Sequence, residues 1–573
     1  MTWSCLSRIS SRIPPLPICL KHWSAVHSGT RLKRLAGTTR VKREKPRPCG
    51  PAEDEPREGC DPVMKRMKEN KRLGGLSTVA IGIVMMFATG MALAEEPLPG
   101  ASSPLSTSPV PNLVDSIFAI KQRTDAQTGK NLIEPADAVL IQRREVEWSR
   151  HLRTALYLPD WIDLGLENRT RFESYDHPWR TSQAIGNGQT DPQILLRSRL
   201  RFGLGEKGPF RFLFEGQDAR VYLNKDPGDF RDNTTVNEFD VLQLLGAITL
   251  NNVIGSGLRT DLHFGRMTMD FGRRRLIARN DFRNTSNAFD GLHWQVSQGQ
   301  TWRVRAFFVE PVLRSDVQLD EQNSKSLFWG SYFESRHVPW FQVDAYYLGL
   351  NDRRVPNLSS HRTYSTFGGR LSKDPKPGEL DYEIESAWQI GTRGDTDHFA
   401  HFQHLDLGYT FNLLWAPRLL FHYDYASGDR KPGDSQDEGF DTLFGARRWE
   451  LMPTGTFGPF FRTNLNSPGW RLIVNPAPSW IVQVKHRVWY LAQNQDVFGN
   501  SGLQDATGQA GNALGHDVEL RAQWALSANM DFDIGFVHWF KGSYFNRLPS
   551  SAGLPLGGNK DTDYFYLQMR VRV

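Results

Sequence analysis

The feature that most constrains this chain is a two-residue period that recurs through its last four hundred residues. In the closing segment 561–573, Phe565, Leu567, Met569, Val571 and Val573 alternate with Tyr564, Tyr566, Gln568, Arg570 and Arg572. Successive side chains of a strand point to opposite faces, so the segment has one apolar and one polar face. The same alternation sets Ile194, Leu196, Leu200, Phe202 and Leu204 against Arg197, Arg199 and Arg201. It sets Ile162, Leu164, Leu166 and Phe172 against Asp163, Glu167, Arg169, Arg171 and Glu173, and Trp302, Val304 and Ala306 against Arg303 and Arg305. Further strands are expected at 210–222, 238–251, 258–268, 290–297, 325–336, 340–350, 362–372, 379–391, 398–412, 415–426, 478–491, 515–526 and 529–541, with a weaker one at 469–475. The total is about 18.

Length decides what such strands are for. Soluble strands average ~5–6 residues, whereas a tilted strand that crosses a bilayer needs ~9–11. Sharing residues 161–573 among them leaves roughly 23 residues for each strand and its connection, which fits alternating short turns and longer loops. A sheet in lipid must close, because each unpaired edge group there costs several kcal/mol. The predicted fold class is therefore all-β, a closed antiparallel transmembrane β-barrel of about 18 strands of the outer-membrane porin type. Its apolar faces meet lipid, and its arginines and carboxylates face a wet lumen. A soluble β-sandwich or propeller is the alternative; the leader described next and the one-sided arginines count against it. The final strand also resembles the terminal signal of bacterial outer-membrane barrels, with Val573 where Phe is usual.

The amino end reads differently. All four cysteines (Cys5, Cys19, Cys49 and Cys60) lie in the first sixty residues, and no later stretch is long and apolar enough for a membrane helix. A disulfide scaffold, a thiol metal site and a polytopic helical protein are excluded. Basic residues at 65–72 precede an apolar stretch that ends Ala92-Leu93-Ala94, the pattern of a secretory signal peptide over 64–94. Residues 1–63, rich in Arg and Pro, then read as an upstream extension that is not made, with synthesis starting at Met64 or Met67. Residues 95–160 read as a periplasmic linker, Pro/Ser-rich over 95–111, with weak helical spacing at 114–123 and 136–156. Residues 1–94 hold 17 of the 69 basic and 7 of the 63 acidic residues, leaving 52 against 56 in the rest. A chain four charges negative beyond its leader is not held to nucleic acid by a broad basic surface.

Those 52 basic residues are 41 Arg and only 11 Lys. Guanidinium groups at every second position put permanent charge and planar donor forks on one face, which favours anions in a pore. Pairing with interior Asp and Glu is the other reading of each arginine. For the group both hold, with some arginines paired and a few left for the permeant. Alternation alone places Arg169, Arg197, Arg199, Arg201, Arg303 and Arg305 in the lumen.

One stretch carries a more specific signal. The run Gly265-Arg266-Met267-Thr268-Met269-Asp270-Phe271-Gly272-Arg273-Arg274-Arg275-Leu276-Ile277 continues through Asp281-Phe282-Arg283-Asn284 to Phe289-Asp290-Gly291. It resembles the signature of the alginate-export family of outer-membrane proteins, G-R-Q-x-L-x-x-G-x-x-R-L-I, then D-W-x-N, then R-x-F-D-G. Met267 replaces the usual Gln, Phe282 the usual Trp, and Asn287 a common Arg. Asp344–Leu350, Tyr425–Asp429, Leu443-Phe444, Gly515–Leu520 and Gly535–Gly542 match in order, so the resemblance runs from about residue 160 to the carboxyl terminus. It implies an 18-stranded monomeric barrel whose arginine-lined constriction passes an anionic uronate polysaccharide. Arg266, Arg273 and Arg275 match family arginines and are candidates for that constriction. The run 266–289 breaks the alternation, as a segment that leaves the wall must.

No G-x-S-x-G, H-E-x-x-H or G-x-x-x-x-G-K-[ST] occurs, so no catalytic residue is assigned. His398 and His404 share one strand face while His401 takes the other, so one metal cannot collect all three. Asp429, Asp434, Asp437 and Glu438 offer oxygen ligands suited to Ca²⁺, but their Gly/Pro-rich setting reads as a solvated loop. No metal and no cofactor is assigned. The resulting reading is a passive channel in the outer membrane of a Gram-negative bacterium, passing an anionic polysaccharide or oligosaccharide. Its expected partners are outer-membrane lipids, the barrel-assembly machinery and periplasmic export proteins. The alternatives are a general or anion-selective porin for small nutrients and, in another class, a barrel enzyme or a non-conducting scaffold.

Overall fold

A computed structural model describes residues 155–573 apart from 178, 180–191, 206–207, 224–232, 339, 354–360, 448–449, 454–456, 478, 500, 528 and 553–557. The extension, the signal peptide and nearly all of the linker with its helical stretches lie outside the described residues.

The alternating segments form strands β1 (Ile162–Tyr175), β2 (Gln193–Leu204), β3 (Phe210–Tyr222), β4 (Asn237–Asn251), β5 (Arg259–Met267), β6 (Phe289–Gln298), β7 (Trp302–Pro311), β8 (Ser326–Ser335) and β9 (Gln342–Asp352). They continue as β10 (Arg362–Lys373), β11 (Leu380–Arg393), β12 (Thr396–Thr410), β13 (Arg418–Ala426), β14 (Gln436–Asp437), β15 (Leu465–Val474), β16 (Trp480–Tyr490), β17 (Ala513–Ala525), β18 (Met530–Lys541) and β19 (Thr562–Arg572). Each long strand pairs antiparallel with its chain neighbours, and β19 pairs with β1 (Phe172 opposite Leu567), which closes the ring. The two-residue β14 lies parallel to β12 at Asp397 and His398 and stands outside the wall, since β13 pairs directly with β15. The wall therefore has eighteen strands, as the periodicity predicts.

Connections at one end are short, from 299–301 to 411–417. At the other they include 176–192, 268–288, 427–464, 491–512 and 542–561, with the 394–395 turn as an exception. This asymmetry marks the short-turn end as periplasmic. The outer face exposes Phe212, Leu244, Phe308, Phe399 and Phe421. Aromatic pairs such as Trp480–Trp524 (5.2 Å) and Tyr409–Phe411 (4.9 Å) ring the short-turn end. On β16 the outward Trp480 and Tyr490 stand ten residues apart, about 33 Å along the strand. At a tilt of roughly 40° this spans about 25 Å of bilayer, the height of the apolar band in such barrels.

Several of the long connections fold into the lumen, with 268–288 and 427–464 joined there by Phe498 of 491–512 and Phe545 of 542–561, which pack on the inward Trp539. The segment 268–288, where the alternation breaks, runs beside 442–446: Phe444 N–H donates to the Leu276 carbonyl (3.0 Å) and Ala278 N–H to the Phe444 carbonyl (3.1 Å). Aromatic packing holds both against the wall. Phe271 meets Phe307 and Tyr332, Phe444 meets Phe289 and Phe328, and Phe460 stacks on Trp489 at 3.7 Å. The outer half of the barrel thus has a buried core of its own, which no strand pattern announces.

Candidate functional site: the arginine-lined lumen

On β1 and β2 the polar positions point inward, and the chain at 281–286 lies against them. Arg169 donates to the carbonyls of Asp281 (2.6 Å) and Arg283 (3.1 Å) and to the side chain of Asn284 (2.9 Å). Arg197 donates to the Asp281 carbonyl (2.8 Å), and Arg171 to the Phe282 carbonyl (2.5 Å) while lying 4.3 Å from the Phe282 ring. Carbonyl oxygens are supplied by any residue type, so this docking needs the arginines more than the loop's side chains.

Charge pairing overlays that docking. Arg197 and Arg199 reach the Asp281 carboxylate at 3.0 and 2.8 Å and share Glu167 at 3.0 and 3.5 Å. From β19, Arg570 approaches Asp281 at 3.7 Å and Asp531 at 3.0 Å, and Arg572 lies 3.2 Å from Glu167. Arg279 pairs with Glu215. Burial alone would raise the Asp281 pKa; the guanidinium groups of Arg197, Arg199, Arg169 and Arg279 hold its carboxyl well below the usual carboxylate range. This rung gathers six arginines (169, 197, 199, 279, 570 and 572) and four carboxylates (Glu167, Glu215, Asp281 and Asp531), with Arg169 bonded to loop carbonyls and Asn284 and not to a carboxylate. Nearer the periplasmic end, Arg201 pairs with Asp163 at 3.2 Å.

Two further groups of predicted arginines lie in the lumen. Arg303 grips Glu334 with two bonds of 2.6 and 2.9 Å; Arg305 adds a third at 2.8 Å and lies 3.9 Å over the Phe271 ring. In the inward loop, Arg273 pairs with Glu383 at 2.6 Å. Arg275, 1% exposed, joins Glu383 (2.5 Å), Glu450 (2.7 Å) and Glu385. Eight of the nine arginines predicted for the pore therefore sit in the lumen, each beside a carboxylate or loop carbonyls.

Arg266 is not among them. β5 runs without a register shift, so Arg266 shares a face with the exposed Leu262 and Phe264 and stands opposite the exposed Leu244. On that lipid-side face it pairs with Asp290 at 2.8 Å and donates to the Asp320 carbonyl at 3.1 Å. It fastens the rim segment 312–325 to the wall.

Sequence reasoning missed Arg279, Arg570 and Arg572, and also the buried Arg370, which pairs with Asp344 at 2.6 Å, and Arg487, which pairs with Asp424 at 2.7 Å. All but Arg279 lie on inward faces of strands, where the same alternation finds them. The carboxylates that neutralise them are far away in sequence, and no local signal identifies those.

The histidines fall as parity requires. His404 is buried between Asp424 (2.8 Å) and Asp406 (3.3 Å), His398 bonds Asp437 at 2.7 Å, and His401 stacks between Trp388 and Tyr425 on the outer face. Candidate metal ligands from Glu383, His404 and Glu450 converge within 4.8 Å. Arg275 bridges those two glutamates, so the position already holds a cation. In the acidic loop Glu438 is engaged by Arg430 and Asp437 by His398, which leaves no convergent Ca²⁺ cage among those four residues.

Among solved structures the fold is similar to the outer membrane protein OprD from Pseudomonas aeruginosa (13% identity over 78% of this chain and 97% of that one, TM-score 0.47). It is also similar to opdK from the same organism (12% identity, 72% and 98% coverage, TM-score 0.47). No curated protein matches the chain. The profile of the alginate export family matches residues 160–556, which is most of the chain and nearly the whole barrel. A closed membrane barrel with its charges turned inward belongs, on that match, to the alginate export family, and it is a channel of the Gram-negative outer membrane rather than an enzyme.

Proposed function

We propose that the channel passes an anionic polysaccharide or oligosaccharide, an alginate-like polyuronate, out of the periplasm along its lumen arginines. The observation that carries this reading is the surplus of arginine over carboxylate on the rung shared by β1, β2 and β19. A balanced lumen gives no reason to prefer anions, whereas six guanidinium groups against four carboxylates leave this rung with a net positive charge that favours a permeant carboxylate. Family membership supports the same class of cargo. Outer-membrane lipids contact the wall, the barrel-assembly machinery inserts it, and periplasmic export proteins deliver the polymer. Arg169, Arg197, Arg199, Arg201, Arg273, Arg275, Arg303 and Arg305 line the path in this reading.

A second reading has its own observation. The inward folding of 268–288 and 427–464 narrows the lumen and favours small carboxylates over a polymer. Single-channel conductance of the 95–573 protein, with ion selectivity and titrations of polyuronate, neutral dextran and small organic acids, separates the two. Anion-selective current blocked by polyuronate but not dextran supports export. Block by small acids alone supports the nutrient porin, and the absence of current from a folded barrel refutes both.

A further inference from the structure

One carboxylate on the arginine rung differs from the rest. Glu167, Glu215 and Asp531 project from strands and have side chains 4–11% exposed, whereas Asp281 belongs to the inward loop and is 36% exposed. Its Oδ1 takes Arg197 and Arg199 from β2, and its Oδ2 lies 3.7 Å from Arg570 of β19, beyond hydrogen-bond length. The loop itself is docked through the carbonyls of Asp281, Phe282 and Arg283 and the Asn284 side chain. Main-chain carbonyls and the Asn284 and Ser286 side chains hold the loop, and the Asp281 carboxylate fills the pocket, with Arg197 and Arg199 serving both. The carboxylate can be removed without removing the dock.

We infer that Asp281 is a resident counter-ion occupying a carboxylate-binding site formed by Arg197, Arg199 and Arg570, and that the carboxylate of an acidic sugar competes with it for that site. The inference rests on the anion-passing reading above and names the subsite within it. The geometry suits exchange. Three guanidinium groups from two strands converge on one carboxylate that water already reaches, and an incoming carboxylate replaces it without leaving buried charge unpaired. Tethering sets the balance, because the loop presents Asp281 at high effective concentration and a permeant displaces it only transiently. Such a site is passed through, which conduction requires.

The test uses Asp281→Asn, which keeps size and removes charge, and Asp281→Ser as a second variant, both in the full-length mature protein. Glu438→Gln, whose carboxylate pairs with Arg430 away from the rung, serves as a charge-matched control. Folding is checked by heat-modifiable gel migration. Reversal potential in a KCl gradient, channel block by trigalacturonate or neutral maltotriose, and calorimetric binding of trigalacturonate are then read. Expected for both Asp281 variants are a more anion-selective current and trigalacturonate affinity raised about three- to tenfold, the scale of one charge-assisted hydrogen bond partly exposed to water. Maltotriose and Glu438→Gln give no change. Unchanged affinity and selectivity in folded Asp281 variants of an anion-selective parent overturn the inference alone. Tighter binding in the variants of a parent that passes no anions sustains the site and overturns the transport reading.

Discussion

Replacing Arg275 by Ala tests whether the inward loops are held by charge. Arg275 is the node of that arrangement: it contacts Glu383 and Glu385 of the wall strand β11 and Glu450 of the second loop. Its neighbours Arg274 and Leu276 accept the backbone bonds from Ala446 and Phe444 that zip the loops together. Breaking a buried ion pair costs about 3–5 kcal/mol, because the abandoned partner stays buried and charged. Here part of the loss is made up. Glu450 keeps Arg462, Glu383 keeps Arg273 and Arg370, and Glu385 keeps, among the described residues, only the Tyr346 hydroxyl, 2.8 Å away. The low end, about 3 kcal/mol, is therefore the expected weakening of loop docking, roughly a hundredfold in the docked-to-released ratio. Hydrogen exchange across 274–278 and 442–446 should accelerate, and single-channel conductance should rise and grow noisy while the barrel stays folded. Adding Glu385→Gln should recover part of the protection, since it removes the most abandoned charge. Protected amides and unchanged conductance in a folded Arg275→Ala barrel would refute the idea that this network holds the loops.

Three other expectations use separate parts of the structure. Arg199→Ala should lower anion selectivity, whereas Arg266→Ala should leave the reversal potential unchanged, because Arg266 lies on the lipid-side face; equal effects in planar bilayers would contradict that placement. Asp320 is pushed up to about 8 by burial and by the neighbouring Asp240, so its protonated form secures the rim segment 312–325. That stabilisation is complete below pH ~4 and disappears as pH rises through about 8. Limited proteolysis of this segment should therefore quicken between pH 6 and 9 in the parent and lose its pH dependence in Asp320→Asn. Gly265 has φ +118°, and a Cβ there would lie 2.3 Å from the Leu244 carbonyl oxygen. Gly265→Ala should accordingly cost about 1–3 kcal/mol, read as a lower unfolding midpoint in urea; an unchanged midpoint would show that the wall yields at β5 without strain.

What was legible in the sequence was the wall, because in a lipid-facing barrel every strand obeys one period for physical reasons. β15 was the weak case. Pro468 and Gly469 interrupt its alternation, and its register with β16 skips Ser467 and Pro468, since proline donates nothing to the ladder. The inward loops were legible only as the place where the period stops. Their packing depends on Phe271, Phe444 and Phe460 meeting wall residues far away in the chain, and nothing local encodes that. The same holds for the charge partners: Arg169 finds the loop at 281–284, and Arg275 finds Glu450, 175 positions on. Arg266 shows how a motif can mislead where parity would not. Leu262 and Phe264 precede it at two-residue spacing on an apolar face, so alternation alone places it toward lipid, while the family motif grouped it with Arg273 and Arg275. Conversely, Arg570 and Arg572 stand on the polar face of the last strand, where the alternation that places Arg169 and Arg197 in the lumen places them too.

Selectivity in such a lumen cannot follow from counting arginines. Beyond its leader the chain is slightly acidic, and most interior guanidinium groups are answered by a carboxylate at 2.5–3.5 Å, so their far fields largely cancel. What a permeant anion meets is local: an excess of donors on one rung, and a counter-ion that can leave it. The arginines of β1, β2 and β19 supply the first, and Asp281, carried on a loop docked by its carbonyls, supplies the second. Glu334, gripped by both Arg303 and Arg305, offers no counter-ion that leaves, because it is buried between them and both fork bonds of Arg303 are already made. Under the proposed reading, then, neutralising Glu334 should alter selectivity less than neutralising Asp281, although the two changes remove the same charge. Glu334 has a side chain only 11% exposed between two arginines, so its position is closed to a permeant, whereas Asp281 is 36% exposed to water. Equal shifts in reversal potential for Glu334→Gln and Asp281→Asn would mean that net charge alone sets the preference.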